Sequence, residues 1–349
     1  MSDGKPIVLV TGATGYVGAH IVEKALATKY PVRVTCRPNK VNEVCQYYGD
    51  QVEVCEITDI AKCDYTEALK GVWAVIHAEA PISGGETKEE LVQSFVHGTM
   101  NIIEQGYAAG VKKFIITSTI MTMVDLDKFP EVFDNNKTYT AKDWNPIASE
   151  EAILVGEHDS YWVYAASKTI AEKRAWSFAE AHPDADITTI HPSLVYGPPT
   201  GIHIPSCDLR APSTQFLLYC NLFKMPGGGG AMPPVPPLHV DVRDIAKAHV
   251  LALTAPPASK VGGHKRIPLS APSFHFDQAI EHLAKVRPDL KDRLADQSAG
   301  GDAMPKGMAS VDETRVKEAL GFEEFIPWQK TVEDSVDNFA VLEKEWFKQ

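Results

Sequence analysis

Residues 7 to 18 read Ile7-Val8-Leu9-Val10-Thr11-Gly12-Ala13-Thr14-Gly15-Tyr16-Val17-Gly18. A short apolar run enters a glycine-rich turn, and a helical pattern opens at about Tyr16. Gly12 suits the positive φ of a tight turn. Gly15, without a Cβ, lets the backbone approach a pyrophosphate, and Gly18 lets the helix pack closely on the strand. The N–H groups of Ala13, Thr14, Tyr16 and Val17, together with the positive end of the helix, would seat that anion. Glycines in a strand-turn-helix can also serve packing alone. The position of this turn, directly after the first strand of an alternating chain, favours a dinucleotide.

Outward from the turn, apolar β-branched runs fall at 7–10, 32–36, 52–55, 74–77, 114–117 and 187–190. Helical patterns lie between them near 17–27, 40–47, 65–70, 89–109 and 161–181. Strands alternating with helices predict parallel strands joined by crossovers, hence an α/β, doubly wound Rossmann sheet. After Ile190 the prolines at 192, 198, 199, 205, 212 and 226, and the glycine run 227–230 followed by four more prolines, predict long loops. Helical patterning returns at 244–254, 277–286 and 331–347. We therefore expect residues 1–190 to form a dinucleotide-binding domain, with 238–256 returning to it. Residues 191–349 would form mainly a smaller, substrate-binding lobe.

A length of 349 residues with 44% hydrophobic and 23% charged residues is ordinary for a folded globular chain. A net charge of −12 argues against a nucleic-acid partner. The N-terminus lacks a basic start, apolar run and cleavage site, and no stretch is apolar enough to span a bilayer. Six cysteines without a C-x-x-C pair read as reduced thiols of a soluble, cytoplasmic protein, which makes Asn136-Lys137-Thr138 a chance sequon. Monomer and dimer both stay open.

The second strand ends Cys36-Arg37-Pro38 with no acidic residue nearby. A site selective for NAD would place a carboxylate there to accept from the ribose 2′-hydroxyl. Arg37 instead offers a guanidinium fork to a 2′-phosphate, so the expected cofactor is NADP(H).

Among 11 tyrosines only Tyr164 has a lysine four residues on, Lys168. Both lie in the longest helical pattern, so both side chains fall on one face. Reducing a carbonyl creates an alkoxide that needs a general acid. A phenol near pKa 10 is too weak an acid unaided, and a neighbouring ammonium should lower it. The hydroxyl of Thr119, just past the fifth strand, stands where a parallel sheet presents groups to a ligand, and it could hold the substrate oxygen.

Thr11-Gly12-x-x-Gly15-x-x-Gly18, Thr119 and Tyr164-x-x-x-Lys168, in that order, resemble the short-chain dehydrogenase/reductase superfamily, extended type. Trp162 to Lys168, Asp59-Ile60-Ala61, His191 to Pro198 and His239 to Asp244 look like its dihydroflavonol reductase-like branch, with the fungal aldehyde, ketone and methylglyoxal reductases. The resemblance implies NADPH-dependent reduction of an aldehyde or ketone, a small-molecule carbonyl substrate, and hydride from the pro-S face. It also implies that Asp59 and Ile60 flank the adenine, that Ala78, Glu79 and Ala80 line the cofactor, and that Pro192, Ser193 and Val195 meet the carboxamide. Two departures stand out: Thr119 replaces the family's serine, and Glu79 puts a carboxylate where relatives carry alanine.

His203 and Cys207 lack the further ligands a metal site needs, so no metal is expected. Phe216, Leu217, Phe223, Met225 and Met232 could wall an apolar pocket or simply pack, and the glycine run 227–230 could hinge a lid. Two alternatives stay open: a nucleotide-sugar epimerase or dehydratase holding NAD, and a non-catalytic NADPH-sensing regulator.

Overall fold

The computed structural model describes residues 5–79, 86–147, 149–208, 212–224, 238–296 and 307–347. Ala80, Met225, Pro226, Met232, the glycine run 227–230 and the prolines within 233–237 lie outside them.

The opening stretch forms β1 (Ile7–Thr11) and α1 (Tyr16–Ala27). Alternation continues with β2 (Val32–Cys36), α2 (Val41–Tyr48), β3 (Val52–Glu56), α3 (Thr66–Leu69) and β4 (Val72–His77). The next helical pattern divides into α4 (Lys88–Val92), a π turn at Gln93–His97 and α5 (Gly98–Ala108). After β5 (Lys113–Thr117) come β6 (Thr138–Tyr139) and α6 (Glu150–Val155). Then come α7 (Ser160–Ala181), β7 (Asp186–Pro192), β8 (Leu194–Tyr196), α8 (Thr214–Leu222), β9 (His239–Asp241) and α9 (Val242–Ala252). The chain finishes with β10 (Lys265–Leu269), α10 (Phe276–Val286), β11 (Ser310–Val311), α11 (Thr314–Leu320) and α12 (Trp328–Trp346).

Seven parallel strands form the central sheet in the order β10-β7-β5-β4-β1-β2-β3. Successive side chains of a strand point to opposite faces, and both faces here are covered. Val8 and Val10 pack with Ala19 and Val22 of α1 and with Ile245 and Ala248 of α9. Leu9 and Val75 pack on the other side with Ile102 and Ile103 of α5 and Trp176 of α7. This two-sided burial explains why the strands read as continuous apolar runs.

The edge strand β10 is not visible in the sequence pattern. It carries Pro268, which an edge strand tolerates, and begins with Lys265 and Arg266, both buried. Those charges are paired, Lys265 with Asp186 and Arg266 with Glu172. A second core gathers Phe216, Tyr219, Phe223, Phe274 and Phe339 beside α10 and α12. Phe216 and Phe223 are thus packing residues, each 3% exposed. No helix among the described residues is long and apolar enough to cross a membrane.

Candidate active site

Because all seven strands run the same way, their carboxyl ends share one edge, where open parallel sheets bind ligands. The β1 turn is built for close approach. Gly12 adopts φ +75°, and a Cβ there would lie 2.9 Å from the Glu79 backbone. At Gly18 a Cβ would lie 2.0 Å from the Gly12 carbonyl oxygen, so α1 can rest on the turn only with glycine there. Gly15 caps α1 with no side chain, and no acidic residue occupies its first turn. The N–H groups of that turn therefore meet no competing carboxylate, which fits the phosphates of a dinucleotide.

Other predicted residues surround this turn. Ala13 is fully buried, and the Ala78 N–H donates to the Thr11 carbonyl at 3.3 Å. Tyr16 donates its hydroxyl to the Gly197 carbonyl at 2.7 Å, while His203 Nδ1 lies 3.2 Å from the Thr14 carbonyl oxygen. His203 also stacks on Tyr16 with ring centroids 5.7 Å apart, so its role here is to close the turn. Among the described residues no cluster of His, Cys, Asp and Glu could hold a metal. Pro192 ends β7, Val195 lies in β8, and between them Ser193 is 7% exposed with an unpartnered Oγ.

Arg37, Asp59, Ile60 and Glu79 line one cleft of about 500 Å³, so four residues from three separate segments meet. Asp59 accepts from the Ala61 N–H at 2.9 Å, which shapes the loop after β3. Ile60 packs where a Cβ on Gly98 would come within 2.8 Å. Arg37 is exposed at the cleft mouth. The cleft has the lining expected for an adenosine moiety: an apolar wall, an arginine and polar groups.

Tyr164 and Lys168 follow each other by one turn of α7. Tyr164 packs edge-on against Phe95, with centroids 5.3 Å apart, and Phe95 comes from the π turn. Lys168 is 4% exposed, donates to the Thr117 carbonyl at 3.1 Å and lies 5.0 Å from the Phe95 ring centre. Burial pushes its ammonium down to about 8, against the pull of Glu172. The phenol of Tyr164 behaves differently from the expectation. Burial raises it above its ordinary value, and the opposing influence is the hydrogen bond from Thr119. The expected acidifying effect of Lys168 is not among the influences on this phenol; the ammonium is engaged by the Thr117 carbonyl instead.

Thr119 caps the short 3-10 turn Ile120–Met123, its hydroxyl accepting from the Met121 N–H at 3.3 Å. His77 Nδ1 lies 2.7 Å from the Thr11 hydroxyl, and burial and then the Lys168 charge push it down to about 3. It is a neutral strand-end brace.

The sequence pattern misses the group beneath this pair. Glu172, one turn beyond Lys168 and 2% exposed, accepts from His191 at 2.8 Å, Arg266 at 2.7 Å and Ser118 at 2.9 Å. Thr189 and Trp176 donate as well. Burial alone would raise this carboxyl, yet His191 and Arg266 outweigh it and hold it well below the usual carboxylate range. The signal available in sequence was the i, i+4 spacing from Lys168; its partners lie 19 and 94 residues away.

The sequence model of the NAD dependent epimerase/dehydratase family matches residues 8–267. A Schizosaccharomyces pombe protein named a putative uncharacterized oxidoreductase is 33% identical over 83% of this chain and 85% of its own. A ketoreductase of Aspergillus niger is 31% identical over 90% and 92%. The crystal structure of Gre2 from Candida albicans in complex with NADPH superposes with a TM-score of 0.79 at 26% identity, covering 97% of this chain and 99% of that one. With the glycine turn, the seven-stranded sheet and these similarities together, the chain belongs to the NAD dependent epimerase/dehydratase family.

Proposed function

We propose that this protein is an NADPH-dependent carbonyl reductase that converts an aldehyde or ketone to an alcohol. The observation that carries the reading is the meeting of Thr119, Tyr164 and Lys168 at the edge of the sheet that also bears the glycine turn and the Arg37 cleft. Relatives named ketoreductase and NADPH-dependent methylglyoxal reductase, at 31% and 27% identity, support the same chemistry. An epimerase reading would need a carboxylate in place of Arg37 at the β2 end.

The cofactor, when bound, supplies a hydride to the carbonyl carbon. Gly12 through Val17 would hold its phosphates, Arg37 the 2′-phosphate, and Asp59, Ile60, Ala78 and Glu79 the adenosine. Pro192, Ser193 and Val195 would line the carboxamide end. Tyr164 gives its phenolic proton to the oxygen that gains charge, and the Thr119 hydroxyl donates to that same oxygen. Lys168, fixed by the Thr117 carbonyl and the Phe95 ring, would position the cofactor beside Tyr164. Phe95 and Tyr161 flank Tyr164, and Phe129 lies against Tyr161, which favours a substrate with an apolar body.

We take residues 1–190 and 238–256 as the cofactor domain, on the packing of α9 against α1, and 191–349 as mainly the substrate lobe. Six free cysteines fit a reducing, cytoplasmic setting.

Tyr164→Phe tests the assignment. Turnover should fall by at least about a thousandfold while NADPH affinity changes by less than about threefold. An active phenylalanine variant, followed by NADPH absorbance loss with an aldehyde and diketone panel, would refute the proton-donor role.

A further inference from the structure

Glu79 follows β4 by two residues, and its backbone is pressed against Gly12 at the phosphate turn. Its side chain lines the same cleft as Arg37, yet its Oε2 is closed off from solvent with no hydrogen-bond partner. A buried carboxyl oxygen left without a donor is costly, and this one belongs to a residue lining a cleft that already carries a guanidinium. We propose that Glu79 is a second specificity-determining residue of this dinucleotide cleft, beside Arg37: its carboxylate accepts from an unphosphorylated adenosine ribose and opposes a 2′-phosphate, whereas its protonated carboxyl leaves Arg37 to hold the phosphate. The inference rests on the reading of the cleft as the adenosine site of NADPH.

The physical basis is a competition between two readers. Arg37 favours a phosphate and a carboxylate favours a ribose hydroxyl. The charge state of Glu79 therefore decides the balance. Its surroundings are Cys36 and Arg37 at the end of β2, and Asp59, Lys62, Cys63 and Tyr65 after β3. Glu89 and Glu90 of α4 face the same cleft, and His77 lies on its own strand. Burial pushes Cys36 up to about 11, raises Cys63 and Tyr65, and pushes His77 down to about 3. Burial raises Glu79 to about 7, with Arg37 pulling the other way. Of these displaced groups, Glu79 is the one that changes charge near neutrality.

The test measures dissociation constants of NADPH and NADH by nicotinamide fluorescence, at about pH 6 and about pH 8.5, for the wild type, Glu79→Gln and Glu79→Ala. The preference for NADPH over NADH should fall about tenfold in the wild type relative to both variants as pH rises. In the variants it should hold or increase, because a 2′-phosphate itself gains charge above about pH 6. An identical pH course in all three proteins overturns the role of Glu79 while leaving the cofactor assignment standing. Failure of the wild type to bind either dinucleotide overturns both.

Discussion

Arg37 sits just past the carboxyl end of β2, exposed, and lines the cleft proposed for the adenosine, with no carboxylate beside it in sequence. A guanidinium in that position gains from a phosphate and little from a hydroxyl. Arg37→Ala should therefore weaken NADPH binding by about 1.5–3 kcal/mol and NADH by less than about 0.5 kcal/mol, as read by fluorescence titration. Equal losses would show that Arg37 does not discriminate the two. Tyr164 carries a different lesson. Its phenol is raised by burial, so the proton-donating form dominates across neutral pH, which suits the reducing direction.

At the scale of elements, the turn joining β1 to α1 depends on Gly18. Gly18→Ala would place a methyl group 2.0 Å from the Gly12 carbonyl oxygen, a backbone atom that cannot rotate away. The variant should lose at least about 3 kcal/mol of stability in urea unfolding, and its dinucleotide affinity should fall with the distorted turn. A variant of wild-type stability and affinity would contradict this packing. Much of this element was legible in sequence, because glycine spacing and apolar runs report local backbone demands. The pair Tyr164 and Lys168 was legible for the same reason, being four residues apart on α7. The π turn at Gln93–His97 was not, since one extra residue in a helical pattern leaves the apolar periodicity nearly unchanged. It is this turn that carries Phe95 to Tyr164 and Lys168. Strand β10 was hidden by Pro268 and by two cations whose partners lie on β7 and α7. Long-range pairing of charge leaves no local trace.

Across the whole molecule, Glu172 joins three distant parts of the chain. It ties α7 to β7 through His191 and to β10 through Arg266, whose guanidinium also donates to the Ala141 and Asp143 carbonyls and stacks on Trp144. Removing one partner of a buried ionic cluster leaves the others uncompensated. Glu172→Gln should cost about 3–5 kcal/mol in urea unfolding. The sign of the pH effect follows from the depressed carboxyl. Its stabilisation is full above the ordinary carboxylate pKa and is lost as pH falls through the lower value of the folded state. The glutamine variant should therefore show a shallower loss of stability on acidification than the wild type. An unchanged acid limb would mean that Glu172 is not ionised in the folded protein.

The place of β10 in the chain has a bearing on how the protein is made. The sheet runs from β3 at one margin to a strand that is translated more than two hundred residues later. Until Lys265–Leu269 leaves the ribosome, β7 presents a bare hydrogen-bonding margin, Glu172 waits without Arg266, and Asp186 has only Lys113 of β5. A nascent chain stalled before that point would be sticky along β7 and a natural client for chaperones, even though its glycine-rich turn had been synthesised long before.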